Sequence, residues 1–343
     1  MHLKSLLLSF EDSIKFMNSE AKIQTQSQSR REVLQAMGAA TITAMGLEGC
    51  AQQPVAVATE VRYSSGSEPP KTQLPINATD CHHHIYDARF PADKTAVLKP
   101  KDAYVSDYRA LQKRLGLTRN VIVQPSTYGT DNRVTLEAMA VFGLQNCRGV
   151  AVVNTEVSDA QLKMMHEQGI RGIRFNLAQG GVTSPDMAPS LAKRIAPMGW
   201  HLQVNAPPQV IFDNKAIWSN LPIYVVFDHQ GHMPHPNAMN HPTFGLIQDL
   251  IQKDKAYVKL TGFYNETKVG PPSYSDSAQV ASVYAKDAPE RCVWGTDWPH
   301  PTEGYENKPN DAYLLDAFAQ AVPNEKARNK ILVDNPARLY QFS

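Results

Sequence analysis

The stretch Asp80-Cys81-His82-His83-His84-Ile85-Tyr86-Asp87 sets two imidazoles two residues apart. Alternate side chains of an extended strand share a face, so His82 and His84 point one way and His83 the other. Two later stretches offer complementary groups: Asp228-His229-Gln230-Gly231-His232 and Gly295-Thr296-Asp297-Trp298-Pro299-His300. Imidazoles beside a carboxylate can activate water and polarise a carbonyl, or hold a divalent ion. Taken singly, each has a plainer use: a strand-end histidine is often packed or solvated, and Asp297 could cap a helix. The weight lies in joint placement. The chain has eleven histidines, yet His82, His84 and His229 fall with Asp297 at the ends of predicted strands. His232 and His300 weigh less as loop residues, and His201 falls at the opposite end of its strand.

Groups so distant in sequence need a repeating scaffold to meet. From Thr79 onward, short apolar, β-branched runs alternate with longer helical stretches. The runs predict strands over 79–86, 120–124, 149–154, 172–175, 201–205, 223–228, 257–261 and 292–296, with helical character over 133–145, 158–168, 243–252 and 277–288. Strands apolar on both faces and separated by helices are parallel. Eight such units predict an α/β fold, a closed (β/α)8 TIM barrel, whose chemistry sits at the C-terminal strand ends. No glycine-rich phosphate loop follows the first strand, which weighs against an open doubly wound sheet.

That same rim collects further polar residues. Arg174 lies on the fourth strand, and its planar fork suits a substrate carboxylate; a structural ion pair is the alternative. Gln124, Tyr128, Gln203 and Tyr264 are candidates to bind substrate hydroxyls, and each could equally pack the barrel mouth. The loops that follow the late strands hold few cations: Lys268 is there, but no arginine lies between Thr261 and Pro289. This favours a lightly charged substrate.

Composition bounds the rest. The 343 residues are 42% hydrophobic and 20% charged, with a formal net charge of +1. A chain of this size builds its core without disulfides or metals, and its charge offers no field for nucleic acid or an anionic membrane. The four cysteines form no CxxC pair; Cys81, Cys147 and Cys292 read as small buried hydrophobes. Residues 1–58 read as an export segment. Ser29-Arg30-Arg31-Glu32-Val33-Leu34, followed by a weakly apolar run, predicts twin-arginine export to the periplasm. The length before Ser29 makes Met17 an alternative start. Leu47-Glu48-Gly49-Cys50 is a candidate lipoprotein site that would anchor the chain at Cys50, and Ala56-Val57-Ala58 is a plain cleavage alternative. The run is too short for a comfortable membrane span. Residues 59–76, rich in Pro, Ser and Thr, read as a linker with nothing to bury. The domain proper is 77–343.

Asp80-x-His82-x-His84, His229 and Asp297 together resemble the amidohydrolase superfamily. The finer resemblance is to the amidohydrolase-related branch that holds 2-pyrone-4,6-dicarboxylate lactonase, sugar-acid lactonases and galactarolactone isomerase. Gln124-Pro125-Ser126-Thr127-Tyr128, Gly172-Ile173-Arg174-Phe175-Asn176, Phe227-Asp228-His229 and Asp334-Asn335-Pro336-Ala337-Arg338 also carry it, so it spans about Asp80 to the end. The resemblance implies a metal-dependent-hydrolase type of barrel that opens a small lactone, of sugar-acid or pyrone-carboxylate type. Asp297 would be general base to water, with His82, His84 and His229 polarising the carbonyl. A lactone isomerase and a metal-dependent decarboxylase are the alternatives within the superfamily; an exported binding protein that lost the chemistry is the one outside it. One departure matters. Arg174 and Gln203 stand where binuclear members resemble one another in a bridging lysine and a histidine ligand. A permanently charged guanidinium cannot be carbamylated, so two metals are not expected. The expectation is no cofactor, with a single zinc-like ion on His82, His84 and Asp297 as the alternative, and a small-molecule lactone as the partner.

Overall fold

The computed structural model describes residues 60–178 and 181–343. The twin-arginine motif and both candidate processing sites, at Cys50 and Ala58, lie outside the described residues. Eight parallel strands succeed one another in chain order: β1 (Thr79–His83), β2 (Arg119–Val123), β3 (Cys147–Ala151), β4 (Ile170–Asn176), β5 (His201–Asn205), β6 (Val225–Phe227), β7 (Ala256–Leu260) and β8 (Cys292–Trp294). The last returns to the first through backbone bonds from Asp297 N to His82 O (2.7 Å) and from His84 N to Trp298 O (2.8 Å). A helix follows each strand: α1 (Val105–Leu115), α2 (Arg133–Phe142), α3 (Asp159–Glu167), α4 (Ala188–Ile195), α5 (Pro208–Asp213), α6 (Pro242–Gln252), α7 (Ser275–Asp287) and α8 (Asp311–Ala321). The architecture is the (β/α)8 barrel that the alternation predicts.

Local chemistry explains the elements. Ser158 caps α3 by accepting from Gln161 N, and Gln161 reaches back to Ser158 N (2.8 Å), a capping box. Gly116, in the left-handed conformation, ends α1. In α4, Leu191, Ala192 and Ile195 recur at helical spacing and are buried against the barrel.

The predicted span 201–205 coincides with β5. Others end earlier than expected: 79–86 stops at His83, 223–228 narrows to Val225–Phe227, and 292–296 to Cys292–Trp294. The residues lost at the C-terminal side include His84, Asp228 and Thr296, where the backbone bends away at the rim, and β6 also begins two residues later than expected, at Val225.

Two apolar layers hold the barrel. Between strands and helices lie residues such as Leu111, Leu162, Ile247 and Phe318. Inside, Cys81, Val121, Val123, Val150, Val226, Tyr257 and Val293 pack on Leu339, Tyr340 and Phe342 from the chain's end. Side chains therefore fill the interior below the site. Cys81, Cys147 and Cys292 are fully buried free thiols.

Residues 60–76 are more than a linker. Val61 and Tyr63 are buried. Tyr63 packs edge-on against Trp298 with ring centres 5.9 Å apart, and Arg62 O accepts from Trp298 Nε1 (2.8 Å). Arg114 donates to Ser64 Oγ (2.9 Å) and Gly66 O (2.7 Å), and Asp316 receives Lys71 N and Thr72 N. The polar composition conceals two apolar anchors, and the segment straps the β8 end of the barrel. Among the described residues, no helix is long and apolar enough to cross a membrane.

Candidate active site

β1 carries one extra residue against β2: Asp80 pairs with Asn120, but His83 pairs with Ile122. Such a bulge re-aims side chains. Asp80 turns outward to accept from Tyr108 of α1 (2.8 Å) and from Thr296 Oγ1 (2.6 Å). His82 and His84 share the inward face, whereas His83 stacks on Tyr108 outside the barrel (3.6 Å between ring centres).

Asp297 is where the imidazoles converge. His84 Nε2 lies 3.4 Å and His82 Nε2 3.5 Å from its Oδ1, and His229 Nε2 lies 3.9 Å from its Oδ2. All four residues are buried. Burial opposes the charge of Asp297, but His229, His84 and His82 hold its carboxyl well below the usual range. Burial lowers His229 to about 4 and, with Lys259 beside it, His82 well below its ordinary value. His82 and His229 therefore favour the neutral imidazole beside an ionised carboxylate. Each ring is anchored through its other nitrogen. His84 Nδ1 donates to Val123 O (2.7 Å), His229 Nδ1 meets Thr261 Oγ1 (2.9 Å), and His82 Nδ1 sits between Lys259 Nζ (3.3 Å) and Asp228 Oδ1 (3.4 Å).

The backbone is bent to make this possible. Asp297 has φ 64°, and His229, Gln230, Gly231 and His232 run successively at φ 48°, 57°, 76° and 54°. Left-handed conformations cost non-glycine residues energy and cluster where side chains must be aimed. Gly262 leaves room for His229: a Cβ there would lie 2.6 Å from His229 Nδ1.

Beneath the imidazoles lies a charged floor that sequence reasoning placed only loosely. The register sets Arg174 beside Gln203. Asp228, fully buried, accepts from Arg174 Nε (3.1 Å) and Gln203 Nε2 (2.9 Å) through Oδ2. Lys259, also fully buried, donates to Gln203 Oε1 (2.7 Å) and Cys81 O (2.8 Å). Burial would raise Asp228, but His82, Lys259 and Arg174 hold it well below the usual range. Burial lowers Lys259 to about 8. Arg174, with a structural ion pair as its alternative reading, and Gln203 were visible in sequence; a further signal was a lysine between apolar neighbours on a central strand, Tyr257-Val258-Lys259-Leu260.

Above the floor opens a cavity of about 480 Å³, walled by His84, Arg174, Asn176, Asn205, His229, His232 and Asp297 among others. Of the residues expected to bind substrate, Arg174 reaches this wall. Gln124 does not: its amide is spent on Asp131 O (2.8 Å) and Thr135 Oγ1 (2.5 Å). Tyr128 Oη braces Asp87, accepting from its N (2.8 Å) and donating to its O (3.2 Å). Gln203 belongs to the floor. Tyr264, whose hydroxyl burial and Asp297 keep protonated, donates to Asp297 Oδ2 (2.6 Å) and so orients the carboxylate. His300 is buried away from the wall against Asp311 (3.1 Å), and His201 lies at the start of β5, at the far end of the barrel.

One ion could fit. His82 Nε2 is fully buried without a hydrogen-bond partner among the described residues, and ligand atoms of His82, His229 and Asp297 lie within 4.8 Å of one another. Two imidazoles and a carboxylate are a zinc-like donor set. This compact group takes His229 in place of the expected His84. Arg174 and Gln203 are committed to Asp228 and offer no second set.

The amidohydrolase family profile matches residues 79–342. The chain is 32% identical over 290 residues to 2-pyrone-4,6-dicarboxylate hydrolase of Comamonas testosteroni, covering 81% of this chain and 94% of that one. It is 29% identical over 289 residues to D-galactarolactone isomerase of Agrobacterium fabrum, covering 82% and 97%. A ligand-free crystal structure of Agrobacterium tumefaciens ATU3138 superposes with a TM-score of 0.74 at 28% identity, covering 80% and 99%.

Proposed function

Because this chain belongs to the amidohydrolase family, we propose that it is an enzyme that hydrolyses a small lactone, with Asp297 as general base. The observation that carries the reading is the ring of three imidazole Nε2 atoms, 3.4 to 3.9 Å from one carboxylate at the floor of an open cavity. The lactone relatives support the substrate class.

The lactone ring enters with its carbonyl against the imidazoles. Asp297 takes a proton from water as the oxygen attacks the carbonyl carbon. His82 and His229, aimed by Lys259, Asp228 and Thr261, stabilise the oxyanion. The ring C–O bond then breaks, and the proton held on Asp297 passes to the departing alkoxide. Tyr264 keeps one carboxylate oxygen in place while the other works. The product hydroxy acid ionises, so each turnover releases one proton. His82, His229 and Asp297 would hold a single divalent ion, which supplies Lewis-acid polarisation of the carbonyl when bound.

Asp297→Asn should lower kcat by about a hundredfold or more while changing KM little. Proton release from a lactone panel, with and without chelator, is the measurement. Undiminished turnover by the variant would overturn the assignment. Conversion of a lactone without proton release would identify an isomerase, in which a substrate hydroxyl replaces water.

A further inference from the structure

Resting on the lactone reading, we propose that the cavity selects a hydroxyl-rich lactone with at most one carboxylate and turns away dianionic ones. Among the described residues, Arg174 is the one arginine or lysine on the cavity wall, whereas Glu266, Glu303 and Asp297 contribute carboxylates. The Arg174 charge is already shared with buried Asp228, 3.1 Å away. Its guanidinium can meet one substrate carboxylate, and a second would have no cation left.

The wall beside Arg174 offers polar groups to hydroxyls. His232 spans Glu266 Oε1 (2.6 Å) and Asn205 Oδ1 (2.6 Å), and Asn205 Nδ2 donates to Asn176 Oδ1 (3.1 Å). This chain of amide, imidazole and carboxylate presents donors and acceptors side by side, and both ring nitrogens of His232 are taken up by Glu266 and Asn205, leaving neither for an incoming anion. Glu303 at the mouth forms no direct salt bridge among the described residues; Lys308 stands behind it, its ammonium bonded to His300 O (2.6 Å) and Glu303 O (2.8 Å) and not to the carboxylate. A dianion would lose hydration without a compensating partner and would face Glu303 on entry.

The test compares kcat/KM, read as proton release by the full chain, on a neutral aldonolactone, a monocarboxylate aldarolactone and 2-pyrone-4,6-dicarboxylate. The dicarboxylate should be slower by about tenfold or more at low salt. Salt should narrow that gap, because it screens an exposed charge. Glu303→Gln should raise the dianion-to-neutral ratio by about three- to tenfold. A preference for the dicarboxylate, or a gap that neither salt nor Glu303→Gln moves, overturns the inference while leaving lactone hydrolysis standing. Silence on every lactone overturns the hydrolase reading, and this inference with it.

Discussion

A buried, poorly bonded imidazole is a point at which protons pull on the fold. His201 is such a residue: it is 1% exposed, and neither ring nitrogen makes a well-formed hydrogen bond among the described residues, although the Arg171 backbone lies close by. Burial lowers it from 6.5 to about 3. The folded state then binds fewer protons than the unfolded one between those values. Its contribution to stability is complete above pH 6.5 and is lost as pH falls toward 3, by a few kcal/mol at most, at about 1.4 kcal/mol for each pH step between the two values. His201→Leu should therefore flatten the fall of Tm with acidity, with little loss at pH 7 because no unsatisfied nitrogen remains. Melting curves from pH 7 to 4 check this, and parallel pH profiles for the two proteins would refute it. The strand position of His201 was legible from sequence, since it opens the run His201-Leu202-Gln203-Val204-Asn205. So were His82, His84, His229 and Asp297, because polar residues that close apolar runs gather on one rim. Gln124 and Tyr128 misled because the sequence cannot show that their hydrogen bonds are spent on Asp131, Thr135 and Asp87. Asp228 gave no separate signal, since its bonds to Arg174 and Gln203 depend on register across three strands.

At the scale of elements, the barrel followed from periodicity, but its strap did not. Residues 60–76 look like spacer because Pro, Ser and Glu outnumber the two side chains that anchor them. Those two matter for position as well as area. Burying Val61 and Tyr63 is worth about 1.5–3 kcal/mol each, and the strap's contacts end on Trp298, the residue after Asp297. Loss of the strap should loosen the turn that holds the base at φ 64°. A chain that begins at Asn77 should thus lose several degrees of Tm and lose kcat more than affinity, since the wall residues stay in place. Calorimetry and lactone kinetics on the shortened chain test both halves. Full activity together with an unchanged Tm would return the segment to the role of spacer. The shortened ends of β1, β6 and β8 share this lesson. Residues that bend out of the sheet to serve the rim look like strand in sequence, because the turn that ends the strand there, as at Asp297 with φ 64°, is set by tertiary contacts.

For the molecule as a whole, the question is where so finished a site does its work. The floor joins Arg174, Gln203 and Lys259, drawn from β4, β5 and β7, with Asp228 just after β6, and none of them finds its partner until these strands pair. The free thiols of Cys81, Cys147 and Cys292 are sealed inside, and burial raises the pKa of all three. A chain with these features gains from folding in a reducing compartment before it meets an oxidising one. The twin-arginine route, which carries folded proteins, suits that need. Both candidate processing points, at Cys50 and Ala58, precede Glu60, so either would leave the strap whole. We therefore expect the full-length chain to reach the periplasm as an intact barrel. Replacing Arg30 and Arg31 together with lysine should strand it in the cytoplasm, still folded and still active on the lactone that the exported form hydrolyses. Cell fractionation with activity measured in each fraction decides the matter. Equal export of the doubly substituted chain, or retention of the native one, removes the address from Arg30-Arg31 and leaves the chemistry of the barrel untouched.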